Sequence, residues 1–369
     1  MADKNTKSEI QRVFELQKKF KWSLRETTAH ERREKLKKLK EKILAESENL
    51  YQALWQDYKK PREEADLAEV LPIMSELHDA IKNLPDWMRP KVVETPIHLG
   101  TGRSEVHYEP LGQTLIIAPW NYPFNLSIAP IISAIAAGNT VMLKPSELAP
   151  NTAAFLERIL KDLFYEEEVA VFQGDASVST ELLKLPFDHM FFTGAPNIGK
   201  IVMKAAAEHL SVCTLELGGK SPAIVENTAD IREAGKRIAW GKWVNAGQTC
   251  IAPDYILVSE DKKDALIDAI HDTVKSFYGQ TPIEWRNSPD FCRIVNRRHY
   301  DRVKGLLDDA KKHGAEIAFG GDTDEHDNYI SPTVITNIAD GSEILKEEIF
   351  GPLLPVVTYR HIDEALEYV

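Results

Sequence analysis

Hydrophobic positions recur at helical spacing through residues 5–88, among many charged residues. This periodicity predicts an amphipathic helical layer. Four positions on its apolar face are Leu36, Leu39, Ile43 and Leu50. The following stretch, residues 92–110, combines prolines and glycines with short β-prone pieces. That composition predicts a hairpin that projects from the body of the protein.

From residue 111 the pattern changes to short apolar runs that alternate with helical stretches. This alternation predicts a mostly parallel sheet covered by helices, as in a nucleotide-binding α/β domain with ligands at the carboxyl ends of the strands. The predicted strands are 115–118, 140–143, 169–173, 190–192 and 212–215, and the predicted helices are 126–137, 151–164 and 197–210. A second α/β block begins near Gly218, with predicted strands 222–225 and 255–258 and predicted helices 231–244 and 262–277.

Composition narrows the class of protein. The chain has 369 residues, of which 43% are hydrophobic and 28% charged, as in folded globular proteins. A net charge of -12 argues against nucleic acid or an anionic membrane as the main partner. Three scattered cysteines do not predict a disulfide framework or a metal site. The polar amino terminus and the lack of a long apolar stretch lead us to expect a cytoplasmic protein without a membrane span.

Two glycine-bearing segments carry the first candidate chemistry. Cys250 ends the segment Gly-Gln-Thr-Cys, and Glu216, 34 residues earlier, opens Glu-Leu-Gly-Gly-Lys. A thiol in a glycine-bearing turn and a carboxylate at the end of a predicted strand suggest a nucleophile and a base for covalent catalysis. We expect Cys213 and Cys292, which lack such a setting, to be buried apolar residues.

Three further turns follow predicted strands. Asn121 lies between two prolines after strand 115–118, where its amide could donate hydrogen bonds to an oxyanion. Lys144 and Glu147 follow strand 140–143, where a nucleotide's ribose and phosphate would lie. Segment 194–200 has P-loop spacing, but Ile201 replaces the magnesium-binding hydroxyl residue. We therefore interpret it as a strand-to-helix turn whose helix could face a pyrophosphate.

Taken together, six ordered motifs resemble the aldehyde dehydrogenase superfamily. They are Pro-Trp-Asn-Tyr-Pro at 119–123, Leu-Lys-Pro-Ser-Glu at 143–147, Phe-Thr-Gly at 192–194, Glu-Leu-Gly-Gly-Lys-Ser-Pro at 216–222, Gly-Gln-Thr-Cys at 247–250 and Glu-Glu-Ile-Phe-Gly-Pro at 347–352. Segments 121–124 and 247–255 are most similar to the class 3 branch, which includes enzymes for fatty and aromatic aldehydes.

The resemblance implies an aldehyde dehydrogenase-like α/β fold. A Rossmann-type cofactor domain with the helical layer would comprise residues 1–91 and 111–217. The hairpin 92–110 would serve oligomerisation, and residues 218–369 would form the α/β catalytic domain without its carboxyl-terminal part.

The resemblance also implies a reaction, the NAD(P)-dependent oxidation of an aliphatic or aromatic aldehyde to a carboxylic acid. Cys250 would attack the aldehyde carbonyl, and the Asn121 side chain and the Cys250 backbone N–H would hold the oxyanion. Hydride transfer to nicotinamide would convert the thiohemiacetal to a thioester. Glu216 would activate the water that hydrolyses it.

For the cofactor, the family pattern implies a set of contacts along the chain. Lys144 and Glu147 would contact the adenosine ribose, Gly194 and Gly199 the pyrophosphate, Glu348 the nicotinamide ribose, and Phe350, Leu217 and Trp120 the nicotinamide or its cleft. The charge of Glu147 opposes a 2'-phosphate, which favours NAD over NADP, although both cofactors are often accepted in this branch.

The chain ends at Val369 within a predicted helix, whereas family members continue beyond this point. The continuation normally holds a Pro-Phe-Gly-Gly stretch and a strand that joins the partner subunit's sheet. We therefore expect a truncated chain, and a homodimer where that segment is present. Three alternatives stay open: a catalytically impaired NAD-binding remnant, a CoA-acylating dehydrogenase, against which Glu216 argues, and a cysteine hydrolase.

Overall fold

The computed structural model describes residues 4–369, which form two compact units. The first comprises Met1–Ala53 and Asp66–Glu216, and the second Leu54–Ala65 and Leu217–Val369. Residues 54–65 thus group with the second unit, whereas the predicted cofactor domain includes all of 1–91. The functional boundaries of the domains stay a prediction.

Fourteen strands and fifteen α-helices run along the described residues. The strands are β1 Lys91–Val93, β2 Ser104–Val106, β3 Gln113–Ile117, β4 Thr140–Lys144, β5 Val169–Val171, β6 His189–Gly194, β7 Val212–Leu217, β8 Pro222–Val225, β9 Tyr255–Ser259, β10 Glu316–Phe319, β11 Thr323–Asp324, β12 Tyr329–Ile330, β13 Thr333–Thr336 and β14 Leu353–Tyr359. The helices are α1 Lys4–Arg25, α2 Ala29–Ala45, α3 Ser47–Tyr58, α4 Arg62–Ala65, α5 Leu71–Trp87, α6 Asn125–Ala137, α7 Pro150–Leu163, α8 Ala176–Leu182, α9 Pro196–Glu208, α10 Ile231–Trp243, α11 Lys263–Tyr278, α12 Pro282–Asn287, α13 Arg297–Lys312, α14 Glu343–Lys346 and α15 Ile362–Tyr368. A π-helical turn covers Asp66–Val70, and 3-10 turns cover Ile97–Leu99 and Val244–Gly247.

The first unit is built on a five-stranded sheet in the order β5-β4-β3-β6-β7. The pairs β3–β4, β3–β6 and β4–β5 are parallel. Chain order reverses at β3, since β4 and β5 lie on one side of it and β6 and β7 on the other. The carboxyl ends of β3 and β6 flank this switch point, where open α/β sheets bind their ligands. The predicted Rossmann-type topology is confirmed.

The helical layer predicted over residues 5–88 is tied to this sheet. The buried Gln17 of α1 donates from its Nε2 to the carbonyl oxygens of Val141 and Glu166, both at 2.9 Å. Helix α2 begins with a capping box, in which Thr28 and Glu31 each accept the other's backbone N–H. Buried leucines and isoleucines of α2 and α5 then pack against each other and against α6.

The second unit contains a mixed five-stranded sheet in the order β10-β13-β14-β9-β8. The pairs β13–β14, β14–β9 and β8–β9 are parallel, while β10 pairs with β13 in antiparallel orientation. Helices α10 and α11 pack against each other, and α10, α11 and α13 contribute buried side chains to the core of this unit. The fold class is therefore α/β in both units, as predicted.

The predicted hairpin is present as the antiparallel pair β1–β2 of the first unit. Its loop and strands expose apolar side chains, among them Ile97 at 96% and Val92 at 57%. Its role in oligomerisation stays a prediction. Over residues 4–369, none of the helices combines the length and apolarity that crossing a bilayer requires.

Candidate active site

The turn after β3 carries Asn121, whose side chain is only 3% exposed. This turn leads into α6, where the backbone N–H of Asn125 donates to Oε2 of Glu69 at 2.8 Å. The Asn125 side chain also donates to the Ala68 carbonyl oxygen at 2.9 Å. A buried carboxylate thus fixes the amino terminus of α6, where the helix dipole favours negative charge. Trp120, next to Asn121, is partly buried.

Lys144 ends β4 and is 2% exposed. Its Nζ lies 2.6 Å from Oε2 of Glu147, whose side chain stays 41% exposed. The carbonyl oxygen of Lys144 accepts the N–H of Ala118, which continues the hydrogen bonding between β3 and β4. The structure therefore brings this predicted pair together at the carboxyl end of β4.

Gly194 ends β6, and α9 begins two residues later. A Cβ at Gly194 would lie 2.6 Å from the ring of Phe192, which restricts this position to glycine. Ala195 caps α9 without a side-chain hydrogen bond, and the first turn has no acidic residue. Gly199 is buried within that turn. A helix amino terminus of this kind suits an anionic ligand.

Glu216, in the first unit, is the penultimate residue of strand β7 and is exposed. Leu217, which follows it in the second unit, is 37% exposed. Both lie at the carboxyl end of the strand, as the sequence predicts.

In the second unit, Cys250 follows a 3-10 turn with left-handed backbone. Asn245, Ala246 and Gly247 have φ values of 56°, 50° and 74°. The Gln248 side chain anchors the turn, because its Nε2 donates to the carbonyl oxygens of Asn245 and Arg293 at 2.9 and 3.0 Å. Cys250 itself is partly exposed.

The turn around Phe350 packs directly against this loop. A Cβ added to Gly247 would lie 2.3 Å from the Gly351 carbonyl oxygen, so only glycine fits there. Phe350 has a φ of 47°, and Arg302 donates to the Ile349 carbonyl oxygen at 2.6 Å. Two motifs that lie about a hundred residues apart in the chain are therefore neighbours.

Glu348 belongs to the same assembly. Its Oε1 accepts the N–H of Gly219 at 3.2 Å, and its Oε2 would lie 2.0 Å from a Cβ at Gly218. Burial raises the pKa of Glu348, and the hydrogen bond from Gly219 opposes that rise. Within the second unit, the turn at 348–351 thus contacts both the turn at 218–221 and the turn at 247–250.

The other cysteines differ from Cys250. Cys292 is 1% exposed, and burial raises its pKa well above the usual range. Burial also raises the pKa of Cys213. Neither environment favours a thiolate. Cys292 is buried as expected, whereas Cys213 is only partly buried and packs against the core of the first unit.

The sequence did not predict that Lys220 and Asp254 support the site. Lys220 donates to Asp254 at 2.6 Å and to the carbonyl oxygens of Ile344 and Glu347 at 2.9 and 2.8 Å. Asp254 in turn accepts the N–H of Ile349 at 2.9 Å. The motifs contain Lys220, but no local pattern indicates a partner 34 residues away.

Comparison with known proteins identifies the class. Residues 2–369 match the aldehyde dehydrogenase family, so the chain belongs to that family and is an aldehyde dehydrogenase. The resemblance drawn from the six motifs is therefore confirmed.

Individual relatives agree. The chain is 46% identical over 338 residues to 4,4'-diaponeurosporen-aldehyde dehydrogenase of Staphylococcus aureus (strain NCTC 8325 / PS 47), covering 92% of this chain and 72% of that protein. It is 42% identical over 342 residues to aldehyde dehydrogenase family 3 member B3 of Mus musculus, covering 93% and 70%. The solved substrate-bound state of Staphylococcus aureus AldH matches with a TM-score of 0.93 at 44% identity, over 98% of this chain and 77% of that one. These relatives place the chain in a class 3-like branch.

Proposed function

We propose that this aldehyde dehydrogenase oxidises an aliphatic or aromatic aldehyde to the carboxylic acid through a covalent intermediate on Cys250. The observation that carries the proposal is the Cys250 turn, a partly exposed thiol on a backbone held by buried hydrogen bonds. A nucleophile must be accessible and rigidly placed, and the turn meets both conditions.

Cys250, Asn121 and Glu216 would each take part in a different step of the reaction. The Cys250 sulfur bonds to the carbonyl carbon, and the oxygen that becomes negative accepts hydrogen bonds from the Asn121 amide and the Cys250 N–H. Loss of the hydride from the C–H bond leaves a thioester, and Glu216 takes a proton from the water that attacks it. The C–S bond then breaks, which releases the carboxylic acid and returns the Cys250 thiolate. The exposure of Glu216 supports this role, because a base for hydrolysis must meet water.

The residues at the carboxyl ends of β4 and β6 fit a dinucleotide. The uncapped amino terminus of α9 beside Gly194 suits a pyrophosphate, and the Lys144–Glu147 pair offers a carboxylate for ribose hydroxyl groups. Glu348, Phe350, Leu217 and Trp120 would contact the nicotinamide half. When bound, the cofactor supplies the hydride acceptor.

We propose NAD as the preferred cofactor. The exposed carboxylate of Glu147 would repel a 2'-phosphate. Its ion pair with Lys144 offsets part of that repulsion, so NADP would be accepted with lower efficiency.

The test is aldehyde-dependent NADH formation by the purified chain, compared with Cys250→Ala and with the matched variant Cys213→Ala. We expect loss of turnover and of the initial NADH burst in Cys250→Ala only, with NAD binding by calorimetry retained. Turnover that survives in Cys250→Ala would refute the proposal. Binding without any burst in the wild type would instead support a cofactor-binding remnant, and strict dependence on added CoA would favour acyl transfer to CoA.

A further inference from the structure

The loop before Cys250 adopts a backbone that its sequence does not favour. Asn245, Ala246 and Gly247 are successive left-handed residues; asparagine and glycine adopt this conformation singly, whereas alanine rarely does and a run of three is unfavourable. Such residues persist only where surrounding contacts hold them. Groups outside the loop must therefore stabilise it.

One set of contacts holds the second half of the loop. The Gln248 side chain donates to the Arg293 carbonyl oxygen and accepts the N–H of Val295, both at 3.0 Å. Asn245 joins this set, since its Nδ2 donates to the Gln248 carbonyl oxygen at 3.1 Å. In all of these contacts the loop contributes the side chain of Asn245 or of Gln248.

The first half is held from a segment 181 residues earlier in the chain. The backbone N–H of Asn245 donates to Oε2 of Glu64, in helix α4, at 2.9 Å. Asn245 is completely buried, so without this carboxylate its N–H would lose its acceptor in the interior. Glu64 and Asn245 both belong to the second unit.

We propose that Glu64 is a positioning residue for Cys250, because its carboxylate holds the Asn245 N–H and so fixes the left-handed loop that leads to the thiol. This inference rests on the proposed role of Cys250 as the nucleophile. A loop released at Asn245 would no longer hold the backbone that leads to Cys250 in one orientation, and oriented backbone N–H groups near a cysteine sulfur favour its thiolate.

The surroundings of Glu64 make the anchor sensitive to pH. Burial raises the pKa of Glu64 to about 7, while the Asn245 N–H and the charge of Lys60 oppose the rise and the charge of Asp290 adds to it. Tyr278 and Cys292 are the other titratable groups that interact with Glu64, and both have pKa values raised well above the usual range by burial. They stay neutral near pH 7, so Glu64 is the member of this cluster that titrates there. An ionised carboxylate accepts a hydrogen bond more strongly than a protonated one.

The experiment measures the rate at which iodoacetamide alkylates Cys250 in the full chain, followed by mass spectrometry of the Cys250 peptide from pH 6 to pH 9. Three variants are compared with the wild type. Glu64→Met removes the acceptor, Glu64→Gln keeps an acceptor but cannot ionise, and Glu63→Gln changes the exposed neighbour on the same helix.

We expect Glu64→Met to lower the alkylation rate at pH 8 about tenfold, the loss typical of a hydrogen bond to a charged group. Glu64→Gln, a neutral acceptor like the protonated carboxyl, should match the wild type at pH 6 and alkylate more slowly than the wild type above pH 7, and the ratio of the two rates cancels the titration of the thiol itself. Glu63→Gln should match the wild type. In turnover assays, Glu64→Met should lower kcat with little change in KM.

Wild-type rates and an unchanged pH profile in Glu64→Met would overturn the proposal. If Glu64→Met does not fold, Glu64→Gln decides, because a ratio of wild-type to Glu64→Gln rates that stays constant from pH 6 to pH 9 would also overturn the proposal. The alkylation assay needs neither aldehyde nor cofactor. The predicted rates in a protein that oxidises no aldehyde would therefore support the anchor while refuting the proposed reaction.

Discussion

Replacing Lys242 with methionine is expected to stabilise the second unit at pH 7. Lys242 lies in the last turns of α10, is completely buried, and its Nζ has no hydrogen-bond partner among residues 4–369. Methionine has a similar length and no charge, so it fills the same space without a desolvation cost. Buried charges without partners are among the costliest features of a protein interior.

The size of the expected stabilisation follows from the cost of burying the charged Lys242 ammonium group. Burial lowers the pKa of Lys242 from 10.5 to about 8, the charge of Lys220 adds to that fall, and the charges of Asp254 and Glu348 oppose it. Each pKa unit corresponds to about 1.4 kcal/mol, so the charged lysine destabilises the fold by about 3 kcal/mol at pH 7. Between pH 8 and pH 10.5 the unfolded chain binds more protons than the folded one, and stability rises with pH. The penalty should fall to about 2 kcal/mol at pH 9.

Urea unfolding followed by tryptophan fluorescence at pH 7 and pH 9 measures both quantities. Lys236→Met is the matched control, because Lys236 lies on the same helix but is exposed. We expect Lys242→Met to raise the free energy of unfolding by about 3 kcal/mol at pH 7, and by less at pH 9. A Lys242→Met protein no more stable than the wild type, or a difference that does not shrink with pH, would refute the reasoning.

Two further predictions concern the first unit. Glu147→Gln should raise kcat/KM for NADP about tenfold and change that for NAD much less, because it removes the charge that opposes a 2'-phosphate but keeps a hydrogen-bonding group; equal changes for both cofactors would contradict this role. Arg32→Met should lower the free energy of unfolding in urea by about 3 kcal/mol. The buried guanidinium donates to the carbonyl oxygens of Leu24 and Ala136 at 3.3 and 3.1 Å and to Oγ1 of Thr27 at 2.8 Å, and the substitution removes all three hydrogen bonds. An unchanged urea midpoint would show that these bonds contribute nothing.

Periodicity predicts the elements of the first sheet closely. The predicted strand 140–143 is β4, Thr140–Lys144, and the predicted helix 126–137 is α6, Asn125–Ala137. Strands buried on both faces are continuous apolar runs, and such runs are visible in a sequence. The short strands β11 and β12 and the π-helical turn Asp66–Val70 carry no such signal, because two to five residues are too few to establish a period.

The short range of sequence patterns also explains why the reactive groups can be predicted and the groups that support them cannot. Cys250 is recognisable because its motif is contiguous, and contiguous residues share one turn. Glu64 has no motif, and its contact with Asn245 spans 181 positions, so only the folded chain shows that this carboxylate faces that N–H. The same holds for the contact of Gly247 with Gly351. A strained loop needs such distant contacts, because its own residues disfavour its conformation. Sequence motifs therefore indicate which side chains react, whereas the residues that hold them in place are found through packing.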